Sequence, residues 1–182
     1  MRIIGITGPA GAGKSTVAAY LEQRYGATRY SLAAPLKAIV QQAFALSHAQ
    51  INGTQAEKEA IDPRYGVSPR WLLQRIGTEG VRSVMGADVW ALMLRARIAS
   101  ERPEIAVVDD VRFENEASVL RELAGPRWRL WKLRPPIGAP ALGQTHASES
   151  GWDRIPHTEQ FLPCEYGVKT LYMWVDSVMV KP

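Results

Sequence analysis

Apolar residues recur along this chain with two periods, and the switches between them mark the elements. Near the start, RIIGIT gathers Ile3, Ile4 and Ile6 into a short apolar run, the mark of a buried strand, and STVAAYLEQRYG continues with helical spacing. In LAAPLKAIVQQAFALS the residues Leu36, Ile39, Val40, Ala43 and Phe44 fall on one helical stripe, with Pro35 suited to the first turn. Residues 52–66 are polar, carry turn residues at both ends and are expected to cross the surface. SPRWLLQRIGTEGVRSVMG opens with Ser68 as a helix cap and Pro69 in the first helical position, and is expected to run as one helix. ADVWALMLRARIASE is a further amphipathic helix that stops at Pro103, and EIAVVDD reads as a central parallel strand ending in carboxylates. ENEASVLRELAG returns to the helical period, RWRLWKLR alternates as a strand, and PPIGAPALGQ is a loop. The tail GVKTLYMWVDSVMV places Leu171, Val175 and Val178 on one helical face. With no internal repeat and no linker, the expectation is one α/β domain over residues 1–182: three layers, with a central parallel sheet flanked by helices.

Composition narrows the classes. A chain of 182 residues can bury a full core, and no apolar stretch is long enough to span a membrane. The single cysteine, Cys164, forms no internal disulfide, which fits a reducing cytoplasm, and with three scattered histidines it offers no zinc spacing. The net charge of +4 favours anionic partners. Basic residues are interspersed with acidic ones, so no basic tract points to a nucleic acid.

One stretch carries chemistry outright. GPAGAGKST, residues 8–16, matches G-x-x-x-x-G-K-[ST] at every fixed position, directly after a strand and at the start of a helix. Glycines let backbone N–H groups turn inward around phosphate, and the helix dipole adds positive charge. Gly8, Gly11, Ala12, Gly13, Lys14, Ser15 and Thr16 are therefore the candidate ATP-binding residues, with Lys14 reaching the β- and γ-phosphates and Ser15 joining the Mg²⁺ shell. The second stretch is VVDDVRFENEA, residues 107–117, an apolar strand ending in two aspartates. A carboxylate at such a strand end faces the metal, and either Asp109 or Asp110 can fill that place; Asp109 is the better strand-end match. Arg112 lies at the same sheet edge, where it would counter phosphate charge or neutralise the two aspartates.

The blocks SPRWLLQRIGTEGVR, DVWALML, DDVRFENEA and THASES, in this order behind the P-loop, resemble the deoxynucleoside monophosphate kinases encoded by tailed bacteriophages. The similarity runs from Arg2 to about Trp152. It implies a P-loop kinase fold and transfer of the ATP γ-phosphoryl group to a 5′-deoxynucleoside monophosphate, in the host cytoplasm and in a homodimer. The C-terminal helix is open as either the dimer interface or core. Other P-loop readings, a dephospho-coenzyme A kinase or an ATP-driven switch, share the first loop, but a dephospho-coenzyme A kinase should lack the Asp-Val-Arg-Phe block, and the even charge distribution argues against a switch acting on nucleic acid.

By the same resemblance Arg70, Gln74, Gly77, Thr78 and Arg82 are assigned to the monophosphate site, within a segment of about residues 52–90; Asp110 is the more family-typical of the two aspartates. On one continuous helix Arg75 and Arg82 would share a face, and Arg70 and Gln74 would lie one turn apart on another. For the base, Trp71 and Trp90 read as core, while Phe113 and Trp152 are placed to sandwich it and Glu114 or Glu149 to accept from its amine. His146 reads as a structural hydrogen-bonding group. A lid over ATP is expected at about residues 134–160, with Arg134 and Arg154 as its cations.

Overall fold

A computed structural model describes residues 1–134, 151–161 and 167–180. His146, Glu149, Cys164 and most of the expected lid lie outside the described residues. Two compact units divide the chain: residues 1–32 with 90–182, and residues 33–89.

The first unit is built on a five-stranded parallel sheet in the order β2-β3-β1-β4-β5. Its strands are β1 (Arg2–Thr7), β2 (Thr28–Tyr30), β3 (Ile105–Val108), β4 (Trp128–Leu133) and β5 (Glu159–Phe161). Ile4 and Ile6 of β1 join Val107, Trp131 and Leu133 beneath α1 (Lys14–Tyr25) and the C-terminal helix, here α9 (Val168–Met179). Leu171, Val175 and Val178 are buried in that same cluster, so the apolar face of the last helix is core. Helix α8 (Glu114–Ala124) packs on β1 and β4 with Ala117 and Leu120 buried. Helix α7 (Val89–Glu101) buries Trp90, Ala91, Leu94 and Ile98, which bears out Trp90 as core. Gly5 is required where β1 meets its neighbour, because a Cβ there would stand 2.7 Å from the Trp128 ring.

RWRLWKLR departs from the expected alternation. Strand β4 lies between β1 and β5, and Trp128, Leu130, Trp131, Lys132 and Leu133 are all buried. Strands covered on both faces have no solvent side to alternate with. Lys132 is accommodated because its ammonium donates to the Asp153 carbonyl at 2.6 Å.

The second unit holds α2 (Ala34–Ala43), α3 (His48–Asn52), α4 (Gln55–Glu59), α5 (Pro69–Gln74) and the one-turn α6 (Ser83–Met85). Ser68 caps α5 as expected, accepting from the Trp71 N–H. Ile39 lies outside the expected apolar stripe of α2: Leu36 and Val40 are buried, whereas Ile39 is exposed. Trp71 is likewise exposed rather than core. Helix α5 buries Pro69 and Leu72, which turns Trp71 outward, where the Arg75 guanidinium lies 5.4 Å above its ring.

The expected single helix changes character after Gln74. Residues Arg75–Arg82 form a π-helix, a form found mostly as short insertions at functional sites. Seven residues no longer make two turns there, so the shared face expected for Arg75 and Arg82 does not follow. Glycine lets this segment lie close against α2. Gly77 is buried, and a Cβ on it would meet Leu36 Cδ2 at 2.4 Å.

Candidate active site

The glycine loop closes β1 onto α1 through residues that side chains would obstruct. Gly8, Gly11 and Gly13 have φ of 146°, 76° and 86°. A Cβ on Gly8 would fall 2.2 Å from the Leu133 carbonyl oxygen, and one on Gly13 would stand 3.0 Å from Leu171. Ala12 is buried, while Gly11 and Ser15 are exposed. Lys14 spans the loop, donating from Nζ to the carbonyls of Gly8 at 2.8 Å and Pro9 at 2.7 Å. Thr16 follows in the first turn of α1, half-buried. This is a preformed concavity of backbone donors at a helix N-terminus with a cation inside it, a shape that suits a polyphosphate.

The two aspartates after β3 face different partners. Asp109 is buried and receives a hydrogen bond from the Arg29 guanidinium at 2.5 Å, with the Ser15 hydroxyl near enough to favour its charged form. Burial pushes its carboxyl above the usual range, and Asp110 adds to this, while Arg29 and Ser15 act the other way. Asp110 instead accepts from the Ser31 hydroxyl at 2.6 Å and the Leu32 N–H at 2.8 Å, tying the end of β2 to the end of β3. Arg29 escaped the sequence reading because β2 is only the three residues Thr-Arg-Tyr, with no apolar run to announce it.

Beyond the aspartates the chain turns into α8 under the control of another buried carboxylate. Glu116 Oε2 accepts from the Arg112 N–H at 2.9 Å and the Phe113 N–H at 3.1 Å. Arg112 and Phe113 are half-buried, and Glu114 is exposed in the first turn of α8. The turn at Gly151–Arg154 lies alongside, since a Cβ on Gly151 would be 3.4 Å from the Arg112 carbonyl oxygen. Trp152 follows in that turn. Arg134, at the end of β4, pairs with Asp153 and places its guanidinium 5.7 Å above the Trp152 ring. Arg154 is exposed. The structure thus brings Arg112, Phe113, Trp152 and Arg134 into one neighbourhood of the first unit.

Within the second unit, Arg70 is in the first turn of α5 and its Nε lies 3.5 Å from Glu59 Oε1. Gln74 ends α5, Gly77 and Thr78 lie in the π-helix, and Arg82 closes it. Arg75 is exposed and paired with Glu79.

Whether the residues suit a magnesium–nucleotide complex can be judged from the donor set. Mg²⁺ keeps several waters and takes one or two carboxylates together with substrate phosphates. A hydroxyl near a buried carboxylate, next to a glycine loop at a helix N-terminus, is such a set. Among the described residues no cluster of three or more His, Cys, Asp and Glu forms a metal cage. Nor is any helix among them long and apolar enough to cross a membrane.

The family described as deoxynucleotide monophosphate kinase matches residues 2–64. The chain is 38% identical over 162 residues to a protein of Acanthamoeba polyphaga mimivirus described under the same activity, covering 82% of this chain and 81% of that one. It is 45% identical over 56 residues to the deoxynucleoside-5′-monophosphate kinase of Escherichia phage T5, a match to 31% of this chain and 22% of that one. In architecture it is similar to shikimate kinase from Acinetobacter baumannii, with a TM-score of 0.51 at 13% identity over 99% of this chain and 93% of the other. That last likeness concerns the P-loop kinase fold alone. With more than four-fifths of both sequences aligned to the mimivirus protein, the chain belongs to the deoxynucleotide monophosphate kinase family.

Proposed function

We propose that this protein transfers the γ-phosphoryl group of ATP to the 5′-phosphate of a deoxynucleoside monophosphate, giving the diphosphate and ADP. The observation that carries the donor half is the buried Asp109 at the end of β3, near the Ser15 hydroxyl and beside a loop in which Gly8 and Gly13 leave little room for a side chain. Membership of the family supplies the acceptor half.

In this reading the loop N–H groups and Lys14 hold the donor phosphates, and Ser15 and Asp109 hold Mg²⁺. When bound with ATP, the ion neutralises charge on the β- and γ-phosphate oxygens. An acceptor phosphate oxygen forms the new bond to the γ-phosphorus as the bond to the β–γ bridging oxygen breaks, and ADP leaves with that electron pair. Phosphate oxygens are already nucleophilic, so no strong base is required. What the protein supplies is alignment and positive charge. Arg112 and Arg134 are assigned to the charge on the migrating group and the donor, and Arg70, Gln74, Gly77, Thr78 and Arg82 to the acceptor. Phe113 and Trp152 supply apolar faces for the base, with Glu114 at its rim. A homodimer would use a face other than Leu171, Val175 and Val178, which are spent in the core.

The test is direct: incubate the protein with ATP, Mg²⁺ and each deoxynucleoside monophosphate in turn, and follow ADP and diphosphate. Formation of ADP that requires a monophosphate is the expected result. Hydrolysis of ATP at the same rate without acceptor would overturn it.

A further inference from the structure

Lys132 is a buried cation with no part in the phosphate-binding set. It is 2% exposed, the only buried lysine or arginine among the described residues. Strand β4 is covered on both faces, and burying a charge there carries a desolvation cost that an apolar side chain of similar length avoids. The sheet gives no reason for a lysine at this position, but its partner does. The ammonium donates to the Asp153 carbonyl at 2.6 Å and stands 3.7 Å from Asp153 Oδ1. Both contacts fall on the residue that also pairs with Arg134.

The order of these groups along the chain matters. A Cβ on Gly8 would strike the Leu133 carbonyl oxygen, so β4 ends directly against the glycine loop. Arg134 is the next residue, and its N–H donates to the Phe161 carbonyl at 3.0 Å, which fixes its main chain to β5. Its guanidinium is held at the edge by the Asp153 carboxylate and on the face by the Trp152 ring, 5.7 Å from the ring centre. Asp153 is half-exposed on the short turn Gly151–Arg154, and an ion pair so exposed fixes little by itself. A buried ammonium gripping the main chain of that same residue changes this, because it ties the turn to the sheet.

We propose that Lys132 is a positioning residue, which through Asp153 holds Arg134 beside the glycine loop for the transferred phosphoryl group. The proposal rests on the role given to Arg134 above and adds two residues behind it. Lys132 touches no substrate; it fixes the carboxylate that orients the guanidinium. Orientation counts here because a charged group misplaced by about 1 Å can slow a reaction by up to about a hundredfold.

The test is a double-mutant cycle. Lys132→Met keeps the length of the side chain and suits a buried strand; it should lower kcat about tenfold and leave the monophosphate KM near wild type. In an Arg134→Ala background the same change should alter kcat by no more than about twofold, because the group it acts through is gone. A lysine needed only for folding would lower kcat by the same factor in both backgrounds, and that result would overturn the proposal. Asp153→Ala keeps the main-chain carbonyl for Lys132 and removes only a half-exposed carboxylate, so it tests the relay even if Lys132→Met fails to fold. It should lower kcat as Lys132→Met does, and a wild-type kcat in Asp153→Ala would refute the relay. Hydrogen exchange, which needs no turnover, separates the anchor from the functional reading. Amides of residues 151–155 should exchange faster in Lys132→Met than in wild type, with those of β1 unchanged. Equal exchange in the two proteins would overturn the anchor. Should wild type phosphorylate no monophosphate, the functional reading fails, while faster exchange in Lys132→Met still supports the tie between Lys132 and the turn.

Discussion

Asp109 and Asp110 are adjacent and chemically identical, yet the structure gives them separate work. Asp109 is bonded to Arg29 and lies near the Ser15 hydroxyl, while Asp110 is bonded to Ser31 and the Leu32 backbone. Asp109→Asn should therefore raise the Mg²⁺ concentration needed for half-maximal turnover, because the hydroxyl of Ser15 loses its charged neighbour. Asp110→Asn should titrate with Mg²⁺ as wild type does and instead lower the melting temperature, by the equivalent of about 1 kcal/mol, since one charged acceptor becomes neutral. Mg²⁺ titrations and melting curves of the two variants check the division; identical Mg²⁺ curves for all three proteins would contradict it. Lys14 sits one step further into the chemistry. Lys14→Ala should remove at least ~3 kcal/mol of transition-state stabilisation with little change in the far-ultraviolet circular dichroism. Single-turnover rates at saturating ATP measure that loss.

At the scale of elements, the turn from β3 into α8 depends on Glu116. Two N–H groups, of Arg112 and Phe113, end on one buried carboxylate oxygen. Glu116→Gln keeps an acceptor for both and should fold and turn over nearly as wild type. Glu116→Ala leaves two backbone donors unmet, at about 1–3 kcal/mol for each group left buried, and should reduce kcat/KM as well as thermal stability. Rescue by glutamine but not alanine is the outcome to look for. This turn also shows what the sequence made legible. The strand end, the aspartates and Arg112 were visible because an apolar run stops abruptly at charge. The role of Glu116 was not, because a glutamate in the first turn of a helix looks like any helix start. The π-helix at residues 75–82 was equally hidden: its RIGTEGVR continues the helical spacing of PRWLLQ, and the close approach of Gly77 to Leu36 is visible only in the folded chain. Gly77→Ala should push on Leu36 and narrow that segment, so the monophosphate KM should rise while the ATP KM stays fixed. Steady-state kinetics in both substrates tests it.

At the scale of the whole chain, the first unit was readable from its sequence and the second only in part. Long apolar strands such as β1 and β3 must be buried on both faces, and that requirement places them centrally. The edge strands β2 and β5 are three residues each, without an apolar run, and only pairing with a neighbour defines them. The second unit coheres through polar links as well as through Leu36, Val40, Ile51 and Leu72. Buried Asp62 accepts from Gln50 Nε2 at 2.8 Å and from the Arg64 N–H, Nε and Nη2 at 3.0, 2.9 and 2.6 Å, while Arg64 Nη1 donates to the Ala45 carbonyl at 3.2 Å. The hydrogen bonds from Arg64 above all, then that from Gln50, hold the Asp62 carboxyl well below the usual range. The unfolded chain therefore takes up this proton more readily than the folded one, and the stability it contributes is complete above about pH 4 and declines as pH falls below that. Asp62→Asn should remove that contribution at neutral pH and flatten the acid limb. Hydrogen exchange at amides between residues 45 and 67 should be faster in the variant at pH 7, with those of β1 unchanged, and the gap between variant and wild type should close as the pH is lowered. A gap that stays constant down to pH 2 would show that Asp62 is not the acid-sensitive link.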